Sequence, residues 1–264
     1  MYPKILDVGP VTVHTYGLLL AVAFIAGIWV TGRNARKAGI DPDKIWNLGL
    51  IVIFAALVGA KILLFFSDYS YYSQNLREIF SLSTLRSSGV YYGGLALALG
   101  ASALYLWKTR LPAWHVADLA ASGLSLGQAI GRLGCLSAGC CYGKPTQMPW
   151  GITFTSDYAY DNVGVPLNIP LHPTQLYESI ASFLLFLYLT WRLSRKHFIG
   201  QIILEYLAIY ATVRFIVEFF RDDERGFVLN GLLSTSQLIG ILVFIGSVAL
   251  YTHLRRRPAE ATES

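Results

Sequence analysis

Residues 16–37 read YGLLLAVAFIAGIWVTGRNARK. An apolar run of some 17 residues ends in Arg33, Arg36 and Lys37. That length approaches the ~20 residues a helix needs to cross the hydrocarbon of a bilayer. The basic cluster behind it is a stop-transfer pattern. Only Lys4 precedes the run and no small-residue cleavage site follows it, so the segment is expected to stay in the protein as a membrane span and not to be removed as a signal peptide. Similar runs recur along the chain. They predict spans at 16–32, 46–67, 90–107, 116–138, 174–193, 200–220 and 234–254. Composition agrees. The chain has 264 residues, of which 54% are hydrophobic and 14% charged, whereas soluble domains carry about a quarter charged residues. The expected fold class is therefore all-α: a polytopic membrane protein with seven transmembrane helices and a structured outer loop region.

The net charge of +5 does not point to nucleic acid, because the charge is sorted by side. Twelve Lys and Arg follow spans 1, 3, 5 and 7 or, as Arg192 does, stand at the end of one, among them Arg33, Lys108, Arg195 and Arg255. Six lie in the opposite segments: Lys4, Arg77, Arg86, Lys144, Arg221 and Arg225. The positive-inside rule then puts the N-terminus outside and the C-terminus in the cytoplasm, with membrane lipids as neighbours. One membrane domain, residues 1–257, is expected, followed by a short polar cytoplasmic tail, 258–264. The segment 68–89, with Tyr69, Tyr71 and Tyr72, suits the membrane interface. The segment 139–173 is rich in Gly, Pro, Thr, Tyr and Asp, and is expected to form the structured outer loop.

Ionisable residues inside spans are costly and mark function by default. The candidates are Lys61, Arg132, Glu178, Arg214 and Glu218. Lys61 has no motif around it and reads as a snorkelling or paired side chain. Arg214 and Glu218 are four residues apart on one helix face and can pair. Arg132 follows a stripe of Gly123, Gly127 and Gly131 at the four-residue spacing that lets helices approach closely. A guanidinium at that depth suits a phospholipid phosphate, since its planar fork can grip two oxygens. Arg214 is a candidate second cation for the same phosphate.

All three cysteines, Cys135, Cys140 and Cys141, lie just beyond Arg132. Structural, redox and metal-binding roles stay open. A metal is the least expected: no His or carboxylate is close in sequence, and Cys-x4-Cys-Cys is not a usual zinc spacing. In a continuous helix Cys135 and Cys140 would point about 140° apart. A turn at Gly139 would change that.

Several segments together resemble the prolipoprotein diacylglyceryl transferases of bacterial inner membranes. They are His14-Thr15-Tyr16-Gly17, Gly93-Gly94-Leu95, Gly131-Arg132-Leu133-Gly134, His172-Pro173-Thr174-Gln175-Leu176-Tyr177-Glu178 and Arg214-Phe215-Ile216-Val217-Glu218-Phe219-Phe220-Arg221. The resemblance covers nearly the whole chain. It implies transfer of the diacylglyceryl group of phosphatidylglycerol to the lipobox cysteine of a preprolipoprotein signal peptide, with release of glycerol phosphate. No metal and no soluble cofactor is implied. Carried over residue by residue, it places Arg132, Arg214, Glu218 and Tyr16 at the chemistry. Substrate binding falls to the same arginines with His172, Gln175, Glu178, Gly93 and Gly94. Three positions depart from the family. Tyr92 stands where a histidine is usual, and Cys135 and Cys140 stand where asparagine and glutamate are usual. All three are carried as candidate catalytic residues. Two other readings follow from these departures: a related membrane enzyme with a different acceptor, and a non-catalytic lipid-binding or redox-responsive protein.

Overall fold

A computed structural model describes residues 4–8, 11–75, 89–222, 227–228 and 233–256. The structure is mostly helical. The long helices are α1 (Thr15–Lys37) and α2 (Pro42–Ser67), then, after the short α3 (Tyr69–Gln74), α4 (Tyr91–Lys108) and α5 (Ala113–Ala138). After the short α6 (Asp157–Val163) come α7 (Thr174–Leu193), α8 (Gln201–Glu218) and α9 (Thr235–Arg255). Each expected span coincides with one long helix. By length and composition three of them, α1, α2 and α9, are apolar enough to cross a membrane. Two-stranded antiparallel pairs join Lys4–Val8 (β1) to Val11–His14 (β2), Ile152–Thr153 (β3) to Pro170–Leu171 (β4), and Phe227–Val228 (β5) to Leu233–Ser234 (β6). Residues 76–88 of the expected interfacial segment and the 258–264 tail lie outside the described residues.

The chain forms two compact units, one of residues 35–116 and one of residues 1–34 with 117–264. In the first, Asp41 caps α2 by accepting the Asp43 amide at 3.0 Å, and Pro42 sits at the first helical position. Helices α2 and α4 run antiparallel at close range. A methyl added at Gly94 would come within 2.8 Å of the Ala56 carbonyl oxygen, and Gly93 backs directly onto Gly59.

The second unit buries polar side chains beside an apolar core of Ala121, Leu185, Leu189, Ile202 and Tyr206, and exposes many large apolar ones. Asp118, Ser122, Ser125, Gln175, Glu178 and Ser182 are almost fully buried, while Leu184 and Leu242 are exposed. A soluble protein rarely exposes so many large apolar side chains, so the outer faces suit lipid. Small hydroxyls join α5 to α7: Ser125 donates to the Ser182 carbonyl and Ser179 to the Ala129 carbonyl, both at 2.8 Å. The glycine stripe of α5 meets α1. Gly123 abuts Gly27, and methyls at Gly127 and Gly134 would lie 3.3 Å from the Ala23 carbonyl oxygen and the Tyr16 ring. Asp118 ties α5 to the start of α8. It accepts from the amides of Gly200 (2.9 Å), Ile202 (2.9 Å) and Ile203 (3.1 Å) and from Lys196 Nζ (3.0 Å). A carboxylate there satisfies helix N-terminal donors that have no intrahelical acceptor. The 139–173 segment is structured, as expected from its composition, around Phe154, Ala159, Val165 and Leu171.

Candidate functional site

Four elements bring charge together in the second unit. From α5, Arg132 Nη2 donates to Glu178 Oε1 of α7 at 2.7 Å, and the Tyr210 hydroxyl of α8 donates to the same oxygen at 2.9 Å. Arg221, just past α8, bridges onward: Nη1 stands 3.8 Å from Glu178 Oε2 and Nε stands 3.9 Å from Glu218 Oε2. Arg214 Nη1 lies 2.6 Å from Glu218 Oε2. Ser234 donates to Glu218 Oε1 at 2.7 Å. That hydroxyl also caps α9, accepting the Gln237 amide at 3.1 Å.

The result is an alternating chain, Arg132–Glu178–Arg221–Glu218–Arg214. Three guanidiniums against two carboxylates leave one net positive charge. Arg214 Nη2 is buried with no hydrogen-bond partner among the described residues. A buried donor of that kind loses water without compensation, so a surplus cation beside it favours an anionic ligand. The expected pairing of Arg214 with Glu218 is present. Arg221, in the sequence a loop charge and the last residue of the Arg214–Arg221 motif, links Glu178 to Glu218. The signal was there: it follows Glu218 by three residues, the spacing of neighbours on one helical turn.

The thiols adjoin this chain. Helix α5 stops at Ala138, Gly139 takes φ +81° and Cys141 takes φ +63°, both left-handed. The turn folds the chain back, and the three sulfur atoms lie within 4.8 Å of one another. Arg132 Nη1 donates to Cys141 Sγ at 3.7 Å. The candidates read from sequence were Cys135 and Cys140, but Cys141 is the one that takes this donation. The Arg221 guanidinium acts on the same sulfur. Hydrogen bonding to Cys135 and Cys141, with burial, pushes Cys140 up. The hairpin is clamped from α7: Gln175 Nε2 donates to the Cys140 carbonyl (2.8 Å) and Thr174 Oγ1 to the Cys141 carbonyl (2.7 Å). Gly143 then runs between the carbonyls of His172 and Phe220, each 2.6 Å from where a methyl would stand.

Tyr16, 40% exposed at the start of α1, stands close enough to Arg132 and all three thiols to interact electrostatically. His172 pairs with Tyr177 (Nδ1 to hydroxyl, 3.0 Å) and packs edge-on to Phe220. These three line a cavity of about 410 Å³ with Met148, Trp150, Ile216 and Val217. Arg132, Arg214, Glu178, Glu218 and Tyr16 are not among the residues that line it. The four charged side chains are taken up by each other. Tyr92, Gly93 and Gly94 belong to the 35–116 unit, where the glycines serve the α2–α4 contact and Tyr92 is exposed, edge-on to Tyr91.

Fold and site thus define a helical membrane protein with a buried, guanidinium-rich cluster beside three thiols. A family described as "Prolipoprotein diacylglyceryl transferase" matches residues 3–253. The phosphatidylglycerol–prolipoprotein diacylglyceryl transferase of Clostridium tetani is 35% identical over 254 residues, 95% of this chain and 97% of that protein. The enzyme of Thermosynechococcus vestitus is 32% identical over 258 residues, 93% of this chain and 90% of that protein. In Clostridium perfringens, phosphatidylglycerol–prolipoprotein diacylglyceryl transferase 2 is 35% identical over 239 residues, 90% of each chain. The chain belongs to the prolipoprotein diacylglyceryl transferase family.

Proposed function

We propose that the protein transfers the diacylglyceryl group of phosphatidylglycerol to the lipobox cysteine thiol of preprolipoproteins, forming a thioether and releasing glycerol phosphate. The observation that carries this reading is the buried chain of three arginines and two glutamates with its surplus positive charge. A phosphodiester would fill that surplus, and the guanidiniums would stabilise the charge that grows on the departing phosphate. Arg132 and Arg214 hold the phosphate. Glu178 and Glu218 orient the arginines, and Gln175 positions the thiol hairpin. Tyr16, Cys135 and Cys140 face the reacting group, and His172 lines the path of one substrate. Tyr92, Gly93 and Gly94 join this assignment through the motif resemblance alone. The seven long helices form one membrane domain in the bacterial inner membrane, with the N-terminus outside, the C-terminus cytoplasmic and 139–173 on the outer side. The twelve-to-six distribution of Lys and Arg supports that orientation.

The test is incubation of the purified protein with phosphatidylglycerol and a lipobox peptide, followed by mass spectrometry. The peptide should gain one diacylglyceryl group on its cysteine, and a peptide with serine there should not. An unmodified cysteine peptide after exhaustive incubation with folded protein would overturn the reading.

A further inference from the structure

Thioether formation at a cysteine needs the sulfur as a thiolate, because the thiol itself is a poor nucleophile. The carboxylates of the charge chain are poorly placed to remove that proton. Glu178 is engaged by Arg132 and Tyr210, and Glu218 by Arg214 and Ser234. The Nδ1 atom of His172 is engaged by Tyr177. Beside this chain stand the three thiols, the one grouping of three or more metal-ligating side chains that comes this close among the described residues.

We propose that Cys135, Cys140 and Cys141 bind a zinc ion whose fourth position takes the acceptor thiol. This deepens the transferase reading above and rests on it. The geometry is suitable. Zinc–thiolate bonds of about 2.3 Å put the sulfurs of a tetrahedral site about 3.8 Å apart. The sulfurs here lie within 4.8 Å, so small side-chain rotations close the set. The hairpin carrying two of them is held at its carbonyls by Gln175 and Thr174, which fixes the backbone from which the sulfurs project. Three protein ligands and one open position are the pattern of a catalytic zinc, whereas a structural zinc has four protein ligands. Three thiolates and a divalent ion carry one net negative charge, and a fourth thiolate makes two. The guanidiniums of Arg132, which reaches Cys141 Sγ, and Arg221, which acts on the same sulfur, offset that charge.

The step then balances without an oxidant or reductant. Coordination deprotonates the acceptor thiol. The bound sulfur attacks the glyceryl carbon that carries the phosphate ester. A carbon–sulfur bond forms and the carbon–oxygen bond breaks. Its electron pair leaves on the phosphate oxygen, and the displaced proton ends on glycerol phosphate. The neutral thioether is a weak zinc ligand and dissociates.

The experiment measures metal in full-length protein purified in detergent under reducing conditions and dialysed against micromolar zinc. One zinc per chain is expected, with at least tenfold weaker binding in Cys135→Ser, Cys140→Ser and Cys141→Ser. Cobalt in its place should show thiolate-to-metal charge-transfer absorption. That absorption should grow on addition of a lipobox peptide and not of its Cys-to-Ser counterpart. The wild-type metal count and cobalt spectrum decide the matter even if a serine variant fails to fold. No stoichiometric zinc or cobalt in the wild-type protein, or undiminished binding in the triple serine variant, overturns the site. A cobalt spectrum blind to the peptide overturns the acceptor role. Full lipidation by metal-free protein sinks the zinc proposal and leaves the transferase reading standing. Stoichiometric zinc with no lipidation sinks the transferase reading and the acceptor role together, and leaves only a metal site.

Discussion

Replacing Arg132 by lysine separates charge from geometry. Arg132 uses two nitrogens in two directions: Nη2 to Glu178 at 2.7 Å and Nη1 to Cys141 Sγ at 3.7 Å. Lysine has one nitrogen. It can keep the pair with Glu178, which is fully buried and needs a cation, but it cannot also present a planar fork to a phosphate. The expected loss is one charge-assisted hydrogen bond, about 1.5–3 kcal/mol. If that bond acts on the departing phosphate, kcat/KM falls about 10- to 150-fold. Arg132→Ala is a different perturbation. It strips Glu178 of its nearest cation, and breaking a buried pair costs about 3–5 kcal/mol. Alanine should therefore lower the yield of folded protein, whereas lysine should not. Size-exclusion chromatography in detergent measures the folded fraction, and mass-shifted lipobox peptide measures turnover. Folded Arg132→Lys with wild-type kcat/KM would refute the bidentate role. Equal folded yield for alanine and wild type would refute the structural importance of the Glu178 pair.

Three further outcomes are expected. Asp118→Ala removes the acceptor for three backbone amides and Lys196; it should lower stability by about 2–4 kcal/mol, visible as a lower midpoint in thermal unfolding followed by tryptophan fluorescence. Gly143→Ala places a methyl 2.6 Å from two carbonyl oxygens and should abolish most folded protein, whereas Gly131→Ala, with nothing within 4 Å, should leave the folded yield within experimental error. A cysteine introduced at Arg195 should be labelled in intact cells only by a membrane-permeable maleimide; labelling by an impermeable one contradicts the inward orientation of that connection.

The long helices were legible because each carries its own signal. Residues 46–67 hold one ionisable group, Lys61, in a run long enough to span a bilayer. The pairing of Arg214 with Glu218 was equally legible, since an i, i+4 relation on a helix needs no tertiary information. Asp118 was not. It looks like any polar residue near a helix start until the amides of Gly200, Ile202 and Ile203 arrive from eighty residues away. Gly143 was equally silent, because its constraint comes from the carbonyls of His172 and Phe220.

Local chemistry along the chain by itself determined helix positions, the sorting of basic residues and the family motifs. Hydropathy, length and short-range spacing act within about twenty residues. The tertiary structure decided which charges neutralise which. It joined Arg132 to Glu178, and Glu178 to Arg221. It also gathered three thiols whose linear spacing argued against a shared ligand. The reason is physical: a helix repeats every 3.6 residues and separates Cys135 from Cys140. Only the break after Ala138, with left-handed Gly139 and Cys141 and the clamp from Gln175 and Thr174, turns those side chains toward one point.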